Sequence, residues 1–406
     1  MRRLILPLTI ALTVTGASML LASRSDSPTG DRTSSDRAGS DRAGSDRVNA
    51  IDSGPSSTST TSSTTTTTNP PIPDSAGTLS LLRTVTGDIT PKSVVASGRG
   101  LVFAQNMMYK HSVTVYDRDG ELVKTIPDAV NLEAFGIGGH PGEVLGAPVE
   151  VAFNPDASKA YVSNYAMYGA GFGPEGSDEC HAGDGTDNSF VYRVDVATLT
   201  IDAVIPVGAV PKYVAVSPDG KWLIVTNWCT FDASIIDTAT NAEVKRIPLG
   251  PYPRGIVVSP DSRTAYVAVM GTQNIARIDL GSFTVSWIYG VGAGPRHLVI
   301  SPDGSALYAT LNGEGRVAKL DPINGVVQTK VATGNAPRSM SISTDGKHLY
   351  VVNYGSGTMS KLDAASLAKV QDVETGYQPI GITYDASTGR VWVANYTGSI
   401  MVFQNT

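Results

Sequence analysis

The sequence predicts an all-β fold, a seven-bladed β-propeller of four-stranded blades, from three observations. From Pro211 onward proline recurs at a constant spacing, and Asp and then Gly follow it at fixed distances, as in Asp237 and Gly250 after Pro211. Glycine supplies 42 of the 406 residues, which is typical of a chain with many tight turns. No segment keeps the apolar period of a helix. The seven repeats begin at Pro91, Pro148, Pro211, Pro253, Pro295, Pro337 and Pro379, and the first two steps are longer than the others.

Each repeat contains four short strands, and the third repeat illustrates them. Residues 213–216 form the first strand, and Ser217-Pro218-Asp219-Gly220 has the composition of a tight turn. Residues 223–226 form the second strand, the third ends at Asp237, and residues 244–247 form the fourth. The seventh repeat stops after its third strand, whereas residues 79–87 match a fourth strand without a repeat of their own. We therefore expect residues 79–87 to complete the last blade and close the ring, which removes an exposed edge.

Four repeats carry a family signature. The segments are Tyr161-Val162-Ser163-Asn164, Ile224-Val225-Thr226-Asn227, Tyr350-Val351-Val352-Asn353 and Trp392-Val393-Ala394-Asn395. They resemble the repeat of the YVTN β-propeller family over about residues 79–403, although blades four and five carry Val269 and Leu311 in place of Asn. The resemblance implies a propeller of the kind found in exported and surface proteins, and it implies no single activity.

The chain before the repeats predicts export. Arg2 and Arg3 precede an apolar run, so residues 1–22 are either a cleaved signal peptide or an uncleaved membrane anchor. Residues 23–77 are rich in Ser, Thr, Asp and Arg and nearly free of apolar side chains, which predicts a disordered stalk with a Ser/Thr tract suited to glycosylation. Residues 78–406 form the propeller, which is expected outside the cytoplasm, either extracellular or at the cell envelope.

The charge of the chain limits its partners. Residues 1–77 hold equal numbers of Arg and Asp and neither Lys nor Glu, so the propeller carries the whole net charge of −6. Because nucleic-acid binding depends on cations that neutralise phosphates, no nucleic-acid partner is expected. Membrane contact is expected only through the N-terminal segment, and the propeller is expected to be monomeric.

Residues of unusual character are predicted on one face of the propeller, where the repeat prolines and the repeat asparagines both lie. A cation follows five of the seven prolines: Lys92, Lys212, Arg254, Arg296 and Arg338. Clustered cations favour an anionic ligand, although each could instead serve its own blade through an acid or a carbonyl. On the same face Asn227 is followed by Trp228, and the corresponding aromatics are Tyr165, Tyr354 and Tyr396. These residues either line a ligand surface or pack between blades, and Asn is also a common turn residue.

Both long insertions belong to this face. The first lies within residues 128–146 and the second between residues 165 and 190. Cys180 in the second insertion and Cys229 in the equivalent loop of the next blade are expected to form a disulfide. Asp184 and Asp187 are a weak Ca²⁺ candidate within an acidic loop, and no other cofactor is expected.

The sequence lacks the common local motifs of hydrolases, metalloenzymes and phosphate-binding loops. A non-catalytic binding module for an anionic small molecule, a glycan or a partner protein is therefore the first hypothesis. The second is an enzyme, since some propellers similar to this family are lactonases or lyases, and His297 and Glu150 would be its acid and base candidates. The third is a structural component of a surface layer.

Overall fold

The computed structural model describes residues 75–107, 109–165, 179–181 and 183–406, which belong to one compact unit. The predicted signal or anchor and nearly all of the predicted stalk lie outside these residues. In the described part of the chain, no helix is long and apolar enough to cross a membrane.

Seven antiparallel four-stranded sheets form the blades, and the first strand of each blade contacts the first strands of its two neighbours, which closes a ring around a central channel. Blades 1 to 3 comprise β2 (Ser93–Ala96), β3 (Leu101–Asn106), β4 (Ser112–Asp117) and β5 (Leu122–Pro127); β8 (Pro148–Phe153), β9 (Lys159–Asn164), β10 (Phe190–Asp195) and β11 (Thr200–Pro206); and β12 (Pro211–Val216), β13 (Trp222–Asn227), β14 (Asp232–Asp237) and β15 (Ala242–Pro248).

Blades 4 to 6 repeat the same order from the channel outwards. They comprise β16 (Pro253–Val258), β17 (Thr264–Val269), β18 (Asn274–Asp279) and β19 (Val285–Ile288); β20 (Pro295–Ile300), β21 (Leu307–Leu311), β22 (Arg316–Leu320) and β23 (Val327–Ala332); and β24 (Pro337–Ile342), β25 (His348–Asn353), β26 (Thr358–Asp363) and β27 (Lys369–Glu374).

The seventh blade confirms the predicted closure. It consists of β28 (Pro379–Asp385), β29 (Arg390–Asn395), β30 (Ser399–Asn405) and, as its outer strand, β1 (Leu79–Val85). The β1 strand runs antiparallel to β30 with Leu79 opposite Asn405. The two ends of the described propeller are therefore hydrogen-bonded to each other, and β1 covers the edge that β30 would otherwise leave open.

A buried lysine holds the chain immediately before β1. Lys361 Nζ donates hydrogen bonds to the carbonyls of Ser75 at 2.6 Å and Gly77 at 2.9 Å, and to Asn405 Oδ1 at 2.8 Å. The Ser75 hydroxyl in turn donates to Asp345 at 2.9 Å. The contacts of the propeller therefore include Ser75, a few residues before β1.

The apolar core lies between successive blades. The cluster between blades 3 and 4 is representative, because Ile224 and Ile235 of one sheet pack against Ile256 and Val267 of the next. The repeated Asp residues are structural, since Asp237 Oδ1 accepts the backbone N–H of Ala239 at 2.8 Å and so shapes the turn after the third strand.

The first insertion folds into a small element of its own. It contains β6 (Val130–Asn131), a 3-10 turn (Leu132–Phe135) and β7 (Glu143–Val144), with Leu132 buried against the blades. Asp128 Oδ2 accepts the Ala147 N–H at 2.7 Å and lies 3.1 Å from His111 Nδ1. These bonds attach the insertion to the face where the blades begin.

Candidate functional site

The candidate site is a cavity of about 360 Å³ in the central channel, lined by the first strands of all seven blades. Side chains alternate between the two sides of a strand. Neighbouring residues of one first strand therefore differ in whether their side chains point into the channel or into the blades.

A β-bulge recurs at the start of these strands in blades 2 to 7. Pro211 lies opposite Asn227, and Tyr213 lies opposite Thr226, so the two residues after Pro211 face only one on the neighbouring strand. The same irregularity follows the prolines of the other five blades. A bulge changes the direction of the side chains beside it. The residue after each proline and the residue two after it consequently have different surroundings.

The residues two positions after the prolines line the cavity and are here named the channel ring: Ser93, Glu150, Tyr213, His297, Ser339 and Gly381. Blade 4 carries Gly255 at this position. A side chain there would come within 2.6 Å of the Arg296 carbonyl, so glycine permits the close approach of two first strands.

His297 holds the Tyr213 hydroxyl in place. The Met340 N–H donates to His297 Nδ1 at 3.3 Å, so the neutral ring carries its proton on Nε2. The Nε2–H group then donates to Tyr213 Oη at 2.6 Å. The hydroxyl proton of Tyr213 consequently remains available to a partner in the cavity.

Burial and neighbouring charges keep this pair neutral. Burial, reinforced by the positive charges of Arg254 and Arg296, lowers the pKa of His297 to about 3. Burial and the negative charge of Glu150 raise the pKa of Tyr213 well above its ordinary value. At neutral pH the pair is therefore a hydrogen-bonding group without net charge.

Glu150 is the titratable acid of the channel ring. Burial raises its pKa to about 7, against the opposing effects of a hydrogen bond with Ser93 and of the charges of Arg254 and Lys92. The Ser93 hydroxyl is also hydrogen-bonded to the buried Gln105 side chain, whose Nε2 has no hydrogen-bond partner. Exchanging the oxygen and nitrogen of that amide lets Nε2 donate to Ser93 and Ser93 donate to Glu150, which gives a continuous chain of bonds to the carboxylate. Ser93 and Gln105 thus orient the Glu150 carboxylate, which changes charge near neutral pH.

Arg254 links the members of the ring electrostatically. Its positive charge acts on Glu150, Tyr213 and His297 alike. Arg254 itself is not among the residues that line the cavity, so an anion there would meet the Tyr213 hydroxyl as a donor and the positive charge of Arg254 from beside the cavity, with Glu150 able to donate only while protonated. The arrangement can therefore bind an anion, and it can transfer a proton at Glu150.

Comparison with known proteins agrees with this fold. Residues 222–403 match the family model described as YNCE-like beta-propeller. This match and the seven four-stranded blades agree with the predicted resemblance. The chain is a seven-bladed β-propeller, and its residues 222–403 are similar to this family. A solved chain of hydrazine synthase from Kuenenia stuttgartiensis is 21% identical with a TM-score of 0.62, covering 79% of this chain and 97% of that one, and this likeness shows the fold alone. No curated protein matches the chain.

The cations that follow the repeat prolines are here named the basic ring: Lys92, Lys212, Arg254, Arg296 and Arg338. Four of them lie over aromatic rings of the same face. Lys212 Nζ is 3.7 Å from the centre of the Tyr165 ring and 5.3 Å from that of Trp228. The corresponding distances are 3.5 Å from Arg338 Cζ to Tyr354, 5.9 Å from Arg254 Cζ to Trp228, and 5.1 Å from Lys92 Nζ to Tyr396.

Several of these residues are packed inside the protein. Lys212 is 1% exposed, Tyr165 is fully buried, and Trp228 is 6% exposed. Arg296 is also buried, with Nη1 3.6 Å from Met270 Sδ. The aromatic–cation contacts therefore belong in part to the packing between blades.

The repeat asparagines join the second and third strands. Asn227 Nδ2 donates to Asp232 Oδ1 at 2.7 Å and to Ser234 Oγ at 2.9 Å. A side chain at Gly208 would come within 2.6 Å of the Asn227 amide, and Gly334 meets Asn353 in the same way at 2.7 Å. The repeated Gly and Asn thus form one packing unit.

The disulfide Cys180–Cys229 is present as predicted, with the two Cα atoms 5.4 Å apart. Tyr252 Oη donates to the Cys180 carbonyl at 3.1 Å, and Cys180 packs with Tyr165 and Trp228 in one buried cluster. The bridge suggests that the protein is found in an oxidising, extracellular environment.

The acidic loop has an internal hydrogen bond. Asp184 Oδ2 accepts the His181 N–H at 2.6 Å. In the ranges that the structure describes, which omit residues 166–178 and 182, no group of three or more His, Cys, Asp or Glu side chains is arranged to hold a metal. The Ca²⁺ site at Asp184 and Asp187 stays a prediction.

The cavity also contains residues that sequence reasoning missed. It brings together Glu150 and His297, both of which stand out in the sequence because they break the repeat. Tyr213 and Ser93 occupy the same repeat position and were not singled out, because only its acid and its histidine were considered. Comparing that single position across all seven repeats would find the whole channel ring.

Proposed function

We propose that the protein is an exported binding protein that takes a small organic anion into its central channel at the channel ring. The observation that carries the proposal is one cavity lined by Glu150, Tyr213 and His297, and the positive charge of Arg254 beside it acts on all three. A cavity of about 360 Å³ is within the range of small-molecule sites, whereas a glycan chain or a partner protein would need a wider surface. The disulfide supports export.

The test is a titration of the whole chain with acetate and with phosphate, followed by calorimetry or by the shift in melting temperature. A ligand that binds only the folded state raises the melting temperature. Arg254→Ala should weaken binding at least tenfold. Arg263→Ala is the matched control, because Arg263 is an exposed cation of the same blade on the turn at the opposite end of the first strand. Equal binding by both variants would refute the proposal.

An enzyme is the second candidate, and one observation favours it. Glu150 has a pKa of about 7, which suits a general acid or base, and it shares the cavity with the Tyr213 hydroxyl. In this case His297 would be a positioning residue for Tyr213. Turnover of simple lactones by the wild type, lost in Glu150→Gln and in Tyr213→Phe, would support catalysis, and turnover unchanged in both variants would exclude this site.

A further inference from the structure

The cavity changes character along the channel. Two residues beyond the channel ring, about 6.6 Å further along each strand, the lining is mostly apolar. Five of its seven members at this level are aliphatic and only partly buried: Val95, Ala152, Ala215, Val257 and Val299. Apolar side chains on the innermost strands thus face an open channel, where contact with water is unfavourable.

The hydroxyl residues of blades 6 and 7 do not change this character. Ser341 Oγ accepts the Tyr384 N–H at 3.0 Å, and Thr383 Oγ1 accepts the Ala96 N–H at 3.2 Å. The Ser339 hydroxyl donates to the Ile380 carbonyl at 2.7 Å. Each of the three hydroxyls therefore bonds the backbone of the neighbouring first strand. The cavity has a polar, charged level at one end and an aliphatic level next to it.

We propose that the ligand is a monocarboxylate with a short aliphatic chain, whose carboxylate lies at the Tyr213 hydroxyl within the positive field of Arg254 and whose chain lies along the aliphatic level. The inference rests on the proposed function and adds the ligand class. A dianion has no second cation at the aliphatic level, whereas an alkyl chain buries its surface against Ala215 and Val257.

The proposal also predicts the effect of pH. The groups facing Glu150 are Lys92 and Arg254, which are cations, and Ser93 and Tyr213, with His297 neutral beside them. A protonated Glu150 can donate to a bound carboxylate, whereas an ionised one repels it. Affinity should therefore fall as Glu150 loses its proton near pH 7, while the ligand remains ionised throughout.

The experiment is a calorimetric titration of the whole chain with acetate, butanoate, hexanoate and succinate at pH 6. We expect affinity to rise about fourfold for each methylene group that becomes buried, and succinate to bind more weakly than butanoate. Butanoate should bind about tenfold more tightly at pH 6 than at pH 8, and Glu150→Gln should abolish this difference.

Two variants test the aliphatic level. Ala215→Leu fills it and should remove the dependence on chain length, and Val257→Thr, with nearly unchanged shape, should weaken hexanoate binding severalfold. Ala242→Leu on the exposed outer strand β15 is the control. If acetate and hexanoate bind equally and both depend on Arg254, the chain-length inference is overturned and the anion site stands. If succinate or phosphate binds best, the ligand class is wrong. If no anion binds, both proposals fail.

Discussion

The basic ring and the channel ring are adjacent in sequence, one residue apart in every blade, yet they differ in what they do. The basic ring repeats: five of seven blades carry a cation, and Lys212 and Arg296 are buried. The channel ring does not repeat, since Ser, Glu, Tyr, His and Gly occupy one position, and its side chains line the cavity. A residue repeated around a propeller tends to serve the blade, whereas the residues that differ are free to form a site. Arg254 belongs to the basic ring by its position in the sequence, and its positive charge acts on residues of the channel ring.

The largest expected effect concerns the basic ring. Lys212→Ala should lower the free energy of unfolding by about 3 kcal/mol, because it leaves a cavity beside Tyr165 and removes two cation–π contacts. Denaturation in urea measures the change, and Lys245→Ala on the exposed strand β15 of the same blade should change it little. If Lys212→Ala kept its full stability but lost anion binding, the basic ring would be the binding site and not a packing feature, which would contradict this account.

The next effect concerns the channel ring, where a substitution should raise the free energy of unfolding instead of lowering it. Glu150 has a higher pKa in the folded protein than when unfolded, so its burial destabilises the fold above pH 7 and has no such effect below about pH 4.5. Glu150→Gln should therefore stabilise the protein by up to about 3 kcal/mol at pH 8 and by much less at pH 4.5. Urea denaturation at the two pH values measures this, with Glu374→Gln at the exposed end of β27 as the control. A glutamine variant less stable at pH 8 would mean that Glu150 is a structural residue.

The smallest effect concerns the backbone at the mouth of the channel. The residue before the repeat proline has a positive φ in blades 2 to 7, and Ala336 is one of the five that are not glycine, with φ of 52°. Ala336→Gly should stabilise the protein by about 0.5–1 kcal/mol, because glycine adopts this conformation without strain. Ala332→Gly in strand β23 should destabilise it by a similar amount, and thermal unfolding distinguishes the two. Anion affinity should be the same in both, since neither residue lines the cavity.

The fold could be predicted from the sequence because the same four-strand pattern occurs in seven successive repeats. The proline step indicates the blades, the unmatched residues 79–87 indicate the closure, and the equivalent positions of Cys180 and Cys229 indicate the disulfide. The site could be predicted only in part. Glu150 and His297 stand out as exceptions to the repeat, but the sequence does not show that a bulge after the proline separates the two rings.

Contacts made across blades were also beyond the sequence. Nothing in the spacing indicates that Lys212 lies over Tyr165 of the preceding blade, or that the His297 ring bonds both Tyr213 and the backbone of blade 6. These contacts form because the lysine and the imidazole are buried between blades. Whether such a side chain is buried depends on tertiary packing, which a local sequence pattern does not indicate.

The central claim is that Glu150 in the channel ring has a raised pKa and lies next to an anion-binding site. Carbon-13 NMR of the chain with labelled glutamate carboxyl groups tests it directly, because only nine glutamates are present and Glu150→Gln assigns the signal. The account predicts that Glu150 titrates with a midpoint near pH 7 and that saturating butanoate moves this midpoint upward. A midpoint near 4.5 that butanoate does not move would contradict it.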